Sequence, residues 1–284
     1  MQSPHSPEST EPSLPVMAQP YEPPPSDAPR KTIVPLAWGQ PFVWLRKGGA
    51  DLLAHPGIAA FYGVAFCTMA IVLAAVFRSK PEYTMSIASG CLLVGPFLAM
   101  GLYEVSRRRE LGIAPELGAS VTCWDRHLGS MGLLVLVLVV LELLWGRASL
   151  VVFAVFFNTG MPSTTGVLEA VFNPQNWEFV AAYAAVGGAF AMLVFSTAVV
   201  SIPMILDRDT DAISAAITSL EVVFHNTGVM VLWGLLLTAL VVLAMLLPWS
   251  LGLLVVGPWL GHASWHAYRG AVQWPGDGTV APTH

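Results

Sequence analysis

The sequence predicts an all-α polytopic membrane protein whose six transmembrane helices form three similar hairpins. Of the 284 residues, 55% are apolar and only 11% are charged, whereas a soluble domain carries about a quarter charged residues. Apolar stretches recur from Gly57 onward, each close to the roughly 20 helical residues that cross a hydrocarbon core. This composition excludes a disordered protein and a collagen, and it disfavours a soluble globule.

The net charge, the number of cysteines and the absence of catalytic motifs exclude further classes of protein. Cys67, Cys91 and Cys123 are the three cysteines, and an odd number does not close a disulfide framework. A net charge of −5 does not fit a nucleic-acid-binding surface. The sequence has no phosphate-binding glycine-rich loop, no nucleophile elbow, no His-Glu-x-x-His and no Cys-x-x-Cys motif. We therefore expect a protein that is not an enzyme, with no cofactor assigned.

Residues 1 to 38 differ in composition from the rest of the chain. They contain ten of the 22 prolines, among Ser, Glu and Thr, and such a segment buries too little apolar surface to offset its chain entropy. The expected organisation is a disordered cytoplasmic tail at 1–38, a membrane domain at 39–272 and a short C-terminal tail at 273–284.

Six apolar segments have the length of membrane spans. Segment 150–157 is too short to span and is either an interfacial helix or an extension of the third span. The Leu247-Pro248-Trp249 turn leaves so little chain between the last two spans that they should form a tight hairpin. The expected spans are 57–77, 83–103, 128–145, 179–206, 228–247 and 249–267.

The distribution of Lys and Arg predicts the orientation, because cytoplasmic loops retain positive charge. With the N-terminus inside, ten such residues lie on the inner side and three on the outer side. Both termini should then be cytoplasmic, in a bacterial inner membrane, with the longest outer loop at about 158–176. The inner residues are Arg30, Lys31, Arg46, Lys47, Arg107, Arg108, Arg109, Arg126, Arg208 and Arg269, and the outer ones are Arg78, Lys80 and Arg147.

A repeated unit underlies the three hairpins. Every second span contains a proline, at Pro96, Pro203 and Pro258, where a helix loses one hydrogen bond and kinks. The other spans start just after His55, His127 and His225. Amphipathic helices are expected before them, near 41–54, 115–126 and 211–224; in the last, Ala212, Ala215, Ala216, Leu220 and Val223 share one face, with Asp211, Ser214, Thr218 and Glu221 elsewhere. The unit is an interfacial helix, a span and a proline-kinked span.

Counting from each proline identifies a candidate polar cluster. Four residues on stand Met100, Asp207 and His262, and eight residues on stand Glu104, Asp211 and His266. Positions four apart share a helix face, so Glu104, Asp207, Asp211, His262 and His266 could converge at the cytoplasmic helix ends. Such a cluster could bind a metal or haem or handle protons. Alternatively, it is an ordinary polar interface in which Trp265 and Tyr268 anchor the helix and Arg269 contacts lipid phosphate. The pair of histidines lacks the third ligand that would specify a zinc site, so the sequence does not identify a metal.

Three further features have weaker functional interpretations. The run Arg107-Arg108-Arg109 either binds anionic lipid or sets topology. Glu142 lies inside the third span, where it could be functional, reach water or pair with Arg147. Four small residues fit close helix packing; they are Ala184, Gly187, Gly188 and Ala191.

Three motifs carry a family resemblance. They are Gly95 to Arg108 (GPFLAMGLYEVSRR), Asp207 to Ala212 (DRDTDA) and Gly261 to Arg269 (GHASWHAYR). Over roughly residues 40–272, the chain resembles the bacterial predicted integral membrane proteins called domain of unknown function 2189. That family has no established activity, although some members are labelled as cytochrome c oxidase proteins. The chain lacks the histidine set of a haem-copper oxidase core, so the resemblance implies at most an accessory or assembly role.

Three hypotheses follow from the sequence. The first is a non-enzymatic helical bundle that is transporter-like or acts as a scaffold. Its partners would be the lipid bilayer and a membrane protein. A small uncharged or lipidic ligand would fit its kinked helices. The second is a metal- or haem-handling accessory protein of a respiratory complex, with His262 and His266 at the site. The third is a protein that shapes the membrane through its interfacial helices, including Trp124.

Overall fold

The computed structural model describes residues 31–79, 84–157 and 173–275. Residues 1–30, most of the expected outer loop 158–176, and residues 276–284 of the expected C-terminal tail lie outside this range.

The described residues are helical apart from two short strands and the connections, as the predicted fold class requires. The strands are β1 (Thr32–Ile33) and β2 (Val272–Gln273), and short 3-10 turns lie at Cys123–His127, Pro174–Asn176 and Pro248–Ser250. The α-helices are α1 (Gln40–Ala54), α2 (Pro56–Ser79), α3 (Thr84–Glu110), α4 (Leu117–Thr122), α5 (Leu128–Phe156), α6 (Trp177–Ala198), α7 (Ser201–Arg208), α8 (Ala212–His225), α9 (Thr227–Leu246) and α10 (Leu253–Ala271).

Four helical stretches of the described chain are long and apolar enough to cross a membrane. They are Pro56–Ser79, Leu117–Phe156, Trp177–Arg208 and Thr227–Leu246. Helices α3 and α10 occupy the second and sixth expected spans, but they are not among these four. The count of six spans therefore stays a prediction.

The expected bounds of two spans change in the structure. Helix α5 continues without a break through residues 150–157, so this segment is an extension of the third span and not a separate interfacial helix. The fourth expected span, 179–206, is interrupted at Val199 and Val200, between α6 and α7. Pro203 therefore lies in the first turn of α7, where its missing N–H breaks no helical hydrogen bond. Pro96 and Pro258 lie inside continuous helices.

The three amphipathic segments are helices, as predicted: α1, α4 with the turn after it, and α8. In α8, Ala212, Ala215 and Val223 are buried as expected. Thr218, expected on the polar face, is also buried. Its hydroxyl donates to the Ser214 carbonyl at 2.7 Å, which satisfies the buried donor.

Helix α10 lies at the centre of the bundle, packed against α1, α2, α3 and α9. Glycines allow its closest contacts. A Cβ at Gly48 would lie 2.5 Å from the Ala263 nitrogen, and one at Gly63 would lie 2.1 Å from the Leu254 carbonyl oxygen. Thus α1 and α2 both approach the α10 backbone at positions where only glycine fits.

The connection from α9 to α10 is the tight hairpin that the sequence predicts. Trp249 and Ser250 adopt positive φ values of 58° and 56°, which reverse the chain within the Pro248–Ser250 turn. The helices then meet closely, because a Cβ at Gly252 would lie 2.6 Å from the Ala244 backbone.

The first described residues are fastened to the end of the bundle. Strand β1 pairs antiparallel with β2, with Ile33 opposite Val272. The Asn226 side chain accepts from the Leu36 N–H at 2.8 Å and donates to the Val34 carbonyl at 3.1 Å. These residues fall within the range 1–38 in which the sequence predicts a disordered tail.

The small residues of α6 have unequal environments. A Cβ at Gly187 would lie 3.0 Å from the Trp145 ring, whereas none of the protein lies within 4 Å of one at Gly188. Only the first glycine is therefore placed at a close contact between α5 and α6.

Replacing Gly63 by Ala should destabilise the bundle. The added methyl would overlap the Leu254 backbone, and forcing apart a packed contact costs about 1–3 kcal/mol. Gly132→Ala is the matched control, because nothing lies within 4 Å of a Cβ there. Denaturant titration in mild detergent should show a loss for Gly63→Ala and no loss for Gly132→Ala; equal stabilities would contradict the close helix contact.

Candidate functional site

Asp51 of α1 is the centre of a buried polar network. The residue is 4% exposed. Its Oδ2 atom accepts a hydrogen bond from the Ser106 hydroxyl at 2.6 Å and lies 2.9 Å from Nε2 of His266. Arg109 forms an ion pair with the other carboxylate oxygen. One carboxylate thus joins α1 to α3 and α10.

The hydrogen-bond geometry assigns protons to both histidines. Ser106 has one proton and donates it to Asp51, while its oxygen lies 2.8 Å from Nδ1 of His262. Nδ1 of His262 must therefore carry a proton and donate it to the serine. His266 has Asp51 at Nε2 and Glu110 3.4 Å from Nδ1. Only the doubly protonated imidazolium donates to both carboxylates.

The network continues from His266 toward α7. Glu110 pairs with Arg269 at 3.3 Å, and Arg269 reaches Asp207 at 3.6 Å. Asp207 also accepts from the Tyr268 hydroxyl at 2.8 Å and pairs with Arg208 at 3.0 Å. Alternating acids and bases therefore connect α1, α3, α7 and α10 at one end of the bundle.

The structure gathers three of the five candidate residues in this network: His262, His266 and Asp207. Glu104 is buried but pairs with Arg107 and Arg108 of its own helix, both at 2.8 Å. Asp211 is exposed and caps α8 by accepting from the Ser214 N–H at 2.9 Å. These two residues therefore serve local roles in α3 and at the start of α8.

The arginines singled out from the sequence are also engaged in ion pairs. Arg107 and Arg108 bind Glu104, Arg109 binds Asp51, and Arg269 binds Glu110 and Asp207. Their side chains are 25–40% exposed. Contact with lipid phosphate would have to share guanidinium groups that already have carboxylate partners.

Two carboxyl groups outside the expected spans have shifted pKa values. Burial alone would raise the pKa of Asp51, but hydrogen bonds from His266 and Ser106 outweigh it and hold the pKa below its ordinary value. The hydrogen bond from the Ser214 N–H lowers the pKa of Asp211. Both side chains are therefore carboxylates at neutral pH, which suits the network and the helix cap respectively.

Reasoning from the sequence misses Asp51, Ser106 and Glu110. A usable signal exists for Asp51, because the buried face of α1 consists of Pro41, Trp44, Gly48 and Asp51 at helical spacing. An acid on an otherwise apolar helix stripe needs a buried partner. Ser106 and Glu110 have no comparable signal.

The arrangement suits fastening of helices better than metal binding. Within residues 31–79, 84–157 and 173–275, no group of three or more His, Cys, Asp and Glu side chains is arranged to hold a metal ion. Both ring nitrogens of His266 face carboxylates, so neither is directed at a vacant site. What the network does chemically is neutralise buried charge and hold protons on two imidazoles.

Asp51→Asn should destabilise the bundle by about 3 kcal/mol, because it leaves the buried His266 without one of its two carboxylate partners. Asp125→Asn, at an exposed carboxylate, should change little. The lowered pKa means that Asp51 stabilises the fold above its ordinary pKa of 3.8, and that this contribution disappears as the pH falls through the folded-state pKa. Denaturant titrations should therefore show the two variants converging at low pH. A constant difference down to that pH would contradict the proposed role of the charge.

The comparisons with known proteins agree with a membrane protein. Residues 83–207 match the family described as predicted integral membrane protein (DUF2189). No curated protein and no solved structure matches the chain. The match includes the Gly95–Arg108 motif and ends at Asp207, so the motif at Gly261–Arg269 lies outside it. Over residues 83–207 the resemblance to this family of predicted integral membrane proteins is confirmed.

Proposed function

We propose that the protein is a non-enzymatic scaffold of the bacterial inner membrane, a six-span bundle that remains closed at its cytoplasmic end. The observation that supports this proposal is the Asp51 network, which joins α1, α3 and α10 through buried side chains. A bundle fastened in this way offers a rigid surface to a membrane-protein partner.

Energetics favour a scaffold over a carrier that opens at this end. Separating α1 from α10 would leave Asp51 and His266, 4% and 7% exposed, without each other. Breaking a buried ion pair costs about 3–5 kcal/mol, so the open state would be populated less than once in roughly 100 molecules. A carrier that alternates during each cycle would have to supply that free energy repeatedly.

Six crossings fit the packing of α3 and α10. Helix α10 lies inside the bundle, where its polar groups contact other helices instead of lipid. Polar side chains in membrane helices commonly face the bundle interior. The excess of Lys and Arg on one side supports cytoplasmic termini.

The metal- or haem-handling alternative has less support. It would place a ligand at His262 and His266 beside a respiratory complex. Both imidazoles already have hydrogen-bond partners, and a metal would have to displace them along with their protons. The same geometry suits a structural network in which no partner or proton has to be displaced.

A cysteine at position 106 should distinguish the scaffold from a carrier. Ser106 is fully buried within the network. In lipid nanodiscs, where both faces are accessible, Ser106→Cys should react with a charged maleimide roughly 100-fold more slowly than Thr122→Cys, because labelling requires the network to open. Peptide mapping separates these adducts from those of the native cysteines. Comparable rates at the two positions would overturn the scaffold proposal in favour of an opening bundle.

The topology has its own test. Reporter domains that are active only in the cytoplasm, fused at each terminus, should both be active if the bundle has six crossings with inner termini. Fusion after Gly166, within the expected outer loop at 158–176, should be inactive and serves as the control. An active reporter at one terminus only would require an odd number of crossings.

A further inference from the structure

A lateral cleft lies between α2, α3 and α4, about 320 Å³ in volume. Its walls are Phe61 and Tyr62 of α2, Val94 and Phe97 of α3, and Val121 and Trp124 around α4. The volume falls at the lower end of the range typical of small-molecule sites, about 300–1,000 Å³. None of these residues belongs to the Asp51 network.

The walls of the cleft are held by specific contacts. The Tyr62 hydroxyl is 3.0 Å from the Ser120 hydroxyl, and the rings of Phe97 and Trp124 meet edge to face at 5.7 Å. A Cβ at Gly101 would lie 2.0 Å from the Tyr62 oxygen, so glycine is required for α2 and α3 to approach here. The cleft is therefore formed before anything binds.

The chemistry of the lining favours a hydrocarbon ligand. The tyrosine hydroxyl already has the serine as its partner, and the remaining lining side chains named above are apolar apart from the indole N–H. A ligand with buried polar groups would lose its hydration without compensation. A flexible acyl chain has no such groups and gains from contact with aromatic walls.

The position of the cleft favours a lipid of the surrounding bilayer as the source. Phe61 and Val94 are 45% and 46% exposed, so the cleft opens on the outer surface of the bundle. Phe61 is the sixth residue of α2, which places it about 8 Å along the helix from its start. At that depth an acyl chain has just left its headgroup.

A cation lies close in sequence to one wall of the cleft. Arg126 follows Trp124 by two residues and is exposed, and within the described residues it makes no ion pair. Lipid phosphate binds such groups at the membrane interface. We propose that the cleft holds an acyl chain of an anionic phospholipid whose phosphate is bound by Arg126. This inference is independent of the scaffold function.

Native mass spectrometry of the full chain in mild detergent tests the proposal. The probes are phosphatidylglycerol and phosphatidylcholine with identical palmitoyl and oleoyl chains, added to delipidated protein. The wild type should retain one phosphatidylglycerol in preference. Val121→Trp and Val94→Trp, which fill the cleft from exposed positions, should weaken binding at least ~10-fold. Leu133→Trp, on the exposed surface of α5, is the matched control and should bind as the wild type does.

The headgroup is tested separately. Arg126→Gln should remove the preference for phosphatidylglycerol over phosphatidylcholine, because the choline cation already offsets the phosphate charge of phosphatidylcholine and that lipid gains less from the arginine. Circular dichroism and gel filtration establish that each variant is folded. Because two variants fill the cleft, the test can still be made if one of them misfolds. Equal lipid retention by both tryptophan variants and the wild type, or no retention by the wild type, would overturn the cleft as a lipid site. An unchanged preference in Arg126→Gln would overturn the role of the arginine.

Discussion

The central constraint on this structure is a buried carboxylate, that of Asp51 on α1. Moving an ion out of water costs several kcal/mol unless its partners are close and well oriented. Asp51 meets that condition only where Ser106, Arg109 and His266 surround it. Since those partners belong to α3 and α10, the position of α1 fixes the relative placement of two other helices, and the later helices must fit around them.

The close packing of α1 against α10 brings Asp51 within reach of its partners. Gly48 precedes Asp51 by about one helical turn and lets α1 approach the α10 backbone at Ala263. A larger side chain there would move the carboxylate away from His266, one turn further along α10. Trp44 lies one turn before Gly48 and packs edge to face against Trp233 at 5.4 Å. Small and aromatic residues on one face of α1 therefore set the distance at which the charged pair can form.

The positions of the helices can be predicted from the sequence, because the length and periodicity of an apolar segment depend only on residues that are close in the chain. The Leu247-Pro248-Trp249 turn can be predicted for the same reason. Counting from the prolines also found His262, His266 and Asp207. It did not find Asp51, because the count starts from the prolines of the spans, whereas Asp51 lies on the buried stripe of α1, 215 residues from its partner His266. It included Asp211 because it treated the chain as continuous helix there. Asp209 adopts a left-handed conformation, φ 51°, which ends α7 and makes Asp211 the cap of α8.

The polar network and the apolar cleft share helix α3, and this connection explains why a cleft can persist without a ligand. Pro96 lies between Val94 and Phe97 on the cleft wall, and it leaves one backbone carbonyl of α3 without its helical donor. The carboxyl end of α3 is held by Ser106 and Arg109 in the network, so its wall cannot rotate inward freely. Binding a chain there requires little further ordering of the protein, which leaves more of the contact free energy for affinity.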